Sequence, residues 1–589
     1  MLLFVSPERP VRGQPMRVVA VSDRAVDARL SLQTKSAPEP VVAPERHGGP
    51  PYHWIAQVDA PRAGAWHATL ARDDACGGEV LAKRDVAVAA SAPARPPPSP
   101  GPALWAARSA WSSSYENLYS AWIEHLFDAP LDEQPTWNAL HEVLRDRARN
   151  FLIDHLGAAE DEQGVVVRPD CADLPYFLRA YFSYKLGLPF GWSRCNRGEG
   201  GSAPTCFEFA TSLDPFPPID GKPQAIPRWA DPDRERDPRD SDFKRFGEFI
   251  RTTLADAVQS GAGRTAAQDE TGDYYPVALS VDTLRPGTIY ADPYGHVLVV
   301  AKRLAQTADR AGVLLAVDGQ PDGTVARKRF WQGNFLFAID PALGSAGFKR
   351  FRPLVRDKAG NLRRLGNKEA GDFSLEQYSA GVDGFYEKVL DVLSPSPLDP
   401  MQALLETIQA FEEQVKTRVV SVENGRKFLA SGKPAAEMPD GAKVFETTGA
   451  WEDFSTPSRD LRLLIAVDVA RALPAAVARR PERYAMPAGA PPAEVQRQLE
   501  ERLARELRER RFKYTRTDGS EWELRLADVV DRQAALEAAY NPNDCVELRW
   551  GAPAGSDEAS TCKAHAPEAQ LARMQDYRVW FHERRRPAR

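Results

Sequence analysis

The sequence predicts a multidomain chain: an all-β, immunoglobulin-like sandwich at the N-terminus, a central α+β unit, and a mostly α-helical C-terminal region. Three observations carry this reading. At 589 residues the chain exceeds what one hydrophobic core supports. The hydrophobic period changes along it, from strand-like alternation to helical spacing, back to short apolar runs, and again to helical stripes. A proline-dense stretch, SAPARPPPSPGPA at 91–103, separates the first of these regimes from the second. Such density favours an extended, semi-rigid spacer.

Residues 1–90 read as strands. Short alternating or apolar runs at 17–22, 28–32, 54–58 and 66–70 are each bounded by Pro, Gly, Asp or Ser, the pattern of a β-sandwich. The piece VDAPRAGAWHATL at 58–70 resembles a strand-corner-strand of immunoglobulin-like domains, with a Gly turn ahead of an inward aromatic.

The central unit is expected over 104–353. Its first part is helical: Trp111, Tyr115, Leu118, Trp122 and Leu126 recur at steps of three and four, a spacing that marks core. PDCADLPYFLRAYFSYKLGLPF at 169–190 continues this, with Leu174, Phe177, Leu178, Tyr181 and Leu188 on one side and Lys185 expected to snorkel outward. Asp170 is a candidate N-cap, which places Cys171 in the first turn, where free N–H groups and the helix dipole favour a thiolate. Pro175 interrupts the regular start, so the alternative is a helix opening at Asp173 with Cys171 in the turn before it. A polar, Pro- and Gly-rich insertion follows at about 194–275, carrying an amphipathic helix with Phe243, Phe246, Ile250 and Leu254, and reads as a lid or binding elaboration. Strands return with the turn LRPG at 284–287, then TIY, the turn DPYG, HVLVV at 296–300 and GVLLAV at 312–317. A helix followed by antiparallel strands is an α+β layout.

In the C-terminal region, 354–589, three stripes mark helices: Leu404, Ile408, Phe411, Val415 and Val422; Leu461, Leu464, Ile465 and Val469; Val495, Leu499, Leu503 and Leu507. A β-hairpin near 512–526 turns at Asp518-Gly519. No chemistry is legible there, so the expectation is a packing domain or a surface for a protein partner, a role equally open to the N-terminal domain. The basic tail HERRRPAR is expected to be solvated.

A formal net charge of -6 argues against nucleic acid or an anionic membrane surface as main partner. No apolar run approaches the ~20 residues of a membrane span, and the opening MLLFVSPERPVRG does not read as a signal peptide. Of six cysteines, Cys195 and Cys206 lie 11 positions apart and Cys545 and Cys562 lie 17 apart, both across Gly-rich loops. Two local pairs read as disulfides, which implies an extracytoplasmic, periplasmic or secreted location with the export signal outside this chain; a cytoplasmic protein with reduced thiols is the alternative. Neither pair has the spacing of a structural zinc site, the histidines show no metal motif, and Gly198–Gly201 is no phosphate loop, so no cofactor and no metal are expected.

That leaves Cys171 and, on a later strand, His296: a thiol and a base able to take its proton. Asp170-Cys171 at a helix start, LRPG leading into a strand, and Gly295-His296-Val-Leu-Val-Val300 together resemble the NlpC-type cell-wall peptidases, a branch of the papain-like cysteine hydrolases. The resemblance covers about 165–320 and not the flanking regions. It implies Cys171 as nucleophile, His296 as base, and a polar residue on the next strand that orients the imidazole. Asp318 fits that third position, with Gln320 and Asp292 as alternatives. It further implies an oxyanion hole drawn in part from N–H groups at the start of the Cys171 helix, and a peptide or peptidoglycan-like substrate cut at an amide. The chain departs from the family in three ways: the 125-residue separation of Cys171 and His296, Pro175, and the missing Ser-Gly after the cysteine. Two other functions are kept open, a transglutaminase-like acyltransferase using the same three residue types and a catalytically silent envelope binding or scaffold protein.

Overall fold

The computed structural model describes all residues except 36–38, 73–77, 93–102, 132, 158–159, 163–164, 220, 228, 232–241, 309, 446, 448 and 588–589. Most of the proline-rich spacer, and Cys76, lie outside the described residues. The described chain combines several antiparallel sheets with helices, and its C-terminal region is helical.

The first eight strands are β1 (Leu2–Ser6), β2 (Met16–Ser22), β3 (Ala28–Thr34), β4 (Val41–Ala43), β5 (His47–Gly48), β6 (Tyr52–Val58), β7 (Gly64–Arg72) and β8 (Val80–Val88). They form two four-stranded sheets, ordered β1-β2-β6-β5 and β4-β3-β7-β8. Alternation explains the pairing: Val18, Ala20, Leu30, Leu32, Trp54, Ala56 and Leu70 point into one shared core. The opposite face is also apolar. Phe4, Val19 and Val21 bury against Leu118, Trp122 and Phe151 of the central unit, which accounts for β2 being buried along its whole length.

Helix α1 (Ser113–Leu126) starts where the Ser112 hydroxyl accepts from the Tyr115 N–H. After the short α2 (Leu140–Arg145) comes α3 (Asp173–Leu186), buried on all sides. Lys185 does not snorkel: its side chain is fully buried, and Nζ donates to Glu160 at 2.6 Å and Asp161 at 2.5 Å. Two carboxylates from an upstream loop supply the partners that solvent was expected to provide. Between α3 and the main sheet lie a hairpin, β10 (Gly191–Cys195) with β11 (Cys206–Thr211), and α4 (Asp242–Glu248) running on into Phe249–Leu254. Phe243, Phe246, Phe249, Ile250 and Leu254 pack into the same core as α3, so this part of the insertion is structural filling behind the helix.

The main sheet has seven antiparallel strands. With β9 (Thr136–Trp137), β12 (Tyr274–Pro276), β13 (Ile289–Ala291), β14 (Val297–Leu304), β15 (Val313–Gly319), β16 (Val325–Arg329) and β17 (Gly347–Phe351), the order is β12-β17-β13-β14-β15-β16-β9. Residues on β14 alternate between two cores. Val297 and Val299 join the α3 side, while Leu298 and Val300 join Phe385, Tyr386 and Val389 of α5 (Gly381–Leu393) on the other. A bulge between Val300 and Lys302 interrupts the β14–β15 ladder, whose site end pairs Leu298 with Asp318.

The helical region comprises α6 (Pro400–Ala430), α7 (Pro457–Arg479), α8 (Pro492–Glu509), the hairpin β18 (Arg511–Thr515) with β19 (Glu521–Arg525), and α9 (Glu568–His582). Leu404, Ile408, Phe411, Leu461, Leu464, Leu499 and Leu503 share its core with Tyr514 and Leu524 of the hairpin. Inside it, Arg418 and Asp460, both inaccessible, meet through bonds of 2.8 and 2.9 Å. The basic tail is not solvated as expected. Arg584 pairs with Asp468 at 2.6 Å, and Arg586, 8% exposed, stacks over Tyr294 and Phe445.

Candidate active site

The loop before α3 explains where Cys171 points. Asp170 Oδ1 accepts from the N–H groups of Ala172 (2.8 Å) and Asp173 (2.9 Å), and its carbonyl accepts from Leu174 at 3.1 Å. The carboxylate of Asp173 reaches back to the Asp170 N–H at 3.3 Å, completing a reciprocal cap. Asp170 is therefore the hydrogen-bonding N-cap and Cys171 the first residue of the turn, although regular helix begins at Asp173. The cap occupies the donors that the resemblance assigned to an oxyanion hole. Since Pro175 has no N–H, the Cys171 N–H is the donor this turn still offers.

Strand ends converge on that turn. The Cys171 thiol donates to the carbonyl of Gly295 at 3.7 Å, and the Val297 N–H points at its sulfur, so it lies against the backbone on both sides of His296. Gly319, at the end of β15, abuts the Asp170 carbonyl so closely that a Cβ there would come within 2.3 Å of the oxygen. His296 Nε2 meets Asp318 Oδ2 at 2.7 Å. The same carboxylate oxygen accepts from Gln320 Nε2 at 2.6 Å and from Lys328 Nζ. Asp318 is fully buried, whereas 23% of the His296 side chain and 20% of that of Lys328 remain exposed.

Electrostatics divides the group. Burial alone would raise the Asp318 carboxyl, but the facing His296 and Lys328 hold it well below the usual carboxylate range. Burial pushes the Cys171 thiol up, and the carboxylates of Asp170 and Asp318 push it further. This reverses the expectation of a helix-stabilised thiolate: desolvation and two carboxylates outweigh the helix dipole. Asp173, mostly buried beside Asp170, is raised to about 8.

Every residue singled out from the sequence is placed. His296 and Asp318 meet at one end of the sheet, and the Cys171 thiol lies beside them against the Gly295 carbonyl; no hydrogen bond joins the thiol to the imidazole among the described residues. Gln320 donates to Asp318 and makes no hydrogen bond to the imidazole among the described residues. Asp292 shapes the turn, its Oδ1 accepting from the Tyr294 N–H at 2.6 Å and its backbone N–H donating to the His296 carbonyl at 2.8 Å. Cys195 with Cys206, and Cys545 with Cys562, form the two disulfides. Two clusters among the described residues bring potential metal ligands together, but Cys545 and Cys562 are bonded to each other beside Glu547, and in the second Glu160 and Asp161 hold Lys185 while Asp154 pairs with Arg147. The sequence reading missed Lys328. Its role depends on the register that sets it opposite Ala316, two positions before Asp318 on β15, and no local motif announces it.

Family profiles, curated proteins and solved structures were compared with the chain, and none matches it.

Proposed function

We propose that this chain is a cysteine hydrolase, an amidase or peptidase, using Cys171 as nucleophile, His296 as base and Asp318 as the residue that positions the base. One observation carries the reading: the only free thiol among the described residues lies against the backbone flanking a histidine, at Gly295 and Val297, and one ring nitrogen of that histidine is held by a buried carboxylate. With Nε2–H donated to Asp318, the lone pair of Nδ1 is the one left to take the thiol proton. The raised thiol is protonated at rest, so proton transfer to His296 accompanies attack. Sulfur then adds to the amide carbonyl, the imidazolium returns the proton to the departing amine, and water hydrolyses the thioester with His296 again as base. In this mechanism the Cys171 N–H donates to the oxyanion. Two disulfides favour an oxidising compartment, and with the resemblance they support peptide amides of the cell wall as substrate.

The test uses purified peptidoglycan sacculi and an electrophilic amide-mimic probe. The wild-type chain is expected to release peptide fragments and to be labelled at Cys171. Cys171→Ala is expected to do neither, and His296→Ala to be labelled at least 100-fold more slowly, the range of one general base. Equal labelling of wild type and Cys171→Ala defeats the proposal. If an added amine appears in the product in place of water, the enzyme is an acyltransferase.

A further inference from the structure

A cavity of about 1400 Å³ is lined by Leu314 and Phe330 of the main sheet, Leu390 of α5 and Leu473 of α7. Alternation puts Asp318 on the same face of β15 as Leu314, so the cavity lies over the side of the sheet that holds the imidazole. It exceeds the roughly 300–1,000 Å³ that suits a small ligand, and has the size for a length of peptide. Its lining also includes Tyr294 and Arg584. Tyr294 belongs to the turn that leads into His296: its N–H is held by Asp292, and the Gly295 carbonyl next to it accepts from the Cys171 thiol. A second recess shares Tyr294 with Pro293, Phe445, Arg586 and Pro587, and only about 30 Å³ of it is empty. That is room for a water or two. The residues that nearly fill it come from the segment after α9. There Arg585 N–H donates to the Trp580 carbonyl at 2.9 Å and Arg584 N–H to that of Phe581 at 3.3 Å, the paired bonds of a Schellman cap. The left-handed position of such a cap is ordinarily glycine, but here Arg584 occupies it at φ 55°. Its ion pair with Asp468 at 2.6 Å holds the strained residue in place. The reversed chain then sets the Arg586 guanidinium 5.1 Å from the ring centre of Tyr294 and 4.9 Å from that of Phe445.

We infer that residues 584–587 are an autoinhibitory strap, which pins the Tyr294 turn against Cys171 and bars the large cavity from the recess beside it until the strap is displaced. Two anchors of different kinds hold it. Arg584 is latched to a carboxylate of α7, and Arg586 is seated on two aromatic faces, where a cation is attracted to the ring quadrupole. Arg585 between them is exposed. With the strap in place the Gly295 carbonyl stays on the thiol, and Arg586 and Pro587 occupy the space on the far side of Tyr294. Lifting it frees the turn and joins the two spaces into one groove past His296. The left-handed Arg584 stores strain that favours release once its partner is lost. The inference rests on Cys171 and His296 being the reacting pair and adds the control of that site.

The test is the rate at which N-ethylmaleimide modifies Cys171, read by peptide mass mapping in the full chain and in a chain shortened to end at Glu583. Both are held at a temperature where circular dichroism finds them folded. The observed rate scales with the fraction of open molecules, and shortening is expected to raise it about tenfold or more. Arg586→Ala is expected to raise it in the same direction, whereas Arg586→Lys, which keeps a cation over the two rings, is expected to stay near the wild-type rate. A folded, shortened chain that reacts like the wild type overturns the strap, even if its Tm is lower, because the segment is then packing alone. Equal rates for Arg586→Lys and Arg586→Ala overturn the cation seat. Should the shortened chain not fold, Arg584→Gly decides: it suits the left-handed cap and removes only the latch to Asp468, so a wild-type rate in that variant overturns the strap. His296→Ala in the shortened chain separates the two readings. If shortening speeds modification and the faster rate is indifferent to His296, the strap stands as a cover of the thiol and the catalytic reading fails.

Discussion

Replacing Asp318 by asparagine tests the reasoning most severely, because one oxygen of this side chain serves three donors. In the wild type Oδ2 takes His296 at 2.7 Å, Gln320 at 2.6 Å and Lys328, with no part of the carboxylate reaching solvent. Asn keeps the shape and removes the charge. Breaking a buried ion pair by removing one partner costs roughly 3–5 kcal/mol. The lower end, about 3 kcal/mol, applies here, since a fifth of the Lys328 and His296 side chains is exposed and water can partly rehydrate them. For a unit of 150–250 residues that corresponds to a loss of roughly 6–12 °C in Tm by calorimetry. The sign with pH follows from the depressed carboxyl. Its stabilisation is complete above the unfolded value near 4 and is lost as pH falls toward the lower folded one. Wild type and Asp318→Asn should therefore differ most at neutral pH and converge in acid. The imidazole also loses the partner that fixes the proton on Nε2, and a carboxylate-to-amide change of this kind lowers turnover by up to about 10⁴. Cys171 labelling in Asp318→Asn should fall by at least 100-fold. If the variant melts and labels like the wild type at pH 7, the His296–Asp318–Lys328 arrangement has no energetic or chemical role and the proposed mechanism is wrong.

Two further substitutions probe the surroundings. Gly319→Ala forces a methyl to within 2.3 Å of the Asp170 carbonyl, so the Cys171 turn must shift; a loss of about 1–3 kcal/mol and at least tenfold slower alkylation of Cys171 are expected, and an unchanged alkylation rate contradicts the close approach. Glu124, 6% exposed in α1, is pushed up to about 7 by burial. Between its unfolded value near 4.3 and pH 7 the folded state holds the extra proton, so stability falls as pH rises through that window, by about 3 kcal/mol in all. Glu124→Gln should abolish that decline, and parallel Tm-against-pH curves for the two proteins from pH 5 to 8 would refute the assignment.

What the sequence disclosed follows from how far each interaction reaches. The sandwich strands are legible because alternation at Val18, Ala20, Leu30 and Leu32 is a local property, and so is the Asp170 cap, written in four consecutive residues. Asp318 could be picked out because the strand period continues from GVLLAV. Lys185 was misjudged because its carboxylates lie some 25 positions upstream, in a loop with no periodicity. Arg586 was misjudged because a short basic tail gives no hint of the aromatic faces of Tyr294 and Phe445. The dipole argument for Cys171 was sound in direction yet incomplete, since the desolvation that outweighs it comes from packing of the Gly295 turn and the Gly319 end of β15 against the cysteine turn.

The bulge between Val300 and Lys302 bears on how this chain tolerates insertions and deletions. Strand pairing carries any one-residue slip along a ladder, and a slip in β14 would turn the neighbours of Asp318 to the wrong face. With the ladder already broken at the bulge, the far half of the strand, where Lys302 reaches Asp128 and Arg303 reaches the Gly49 carbonyl, can gain or lose a residue by absorbing it there. The near half, anchored by Leu298 opposite Asp318, keeps its phase. Changes in length at the junction with the N-terminal sandwich are thereby uncoupled from the geometry of the histidine.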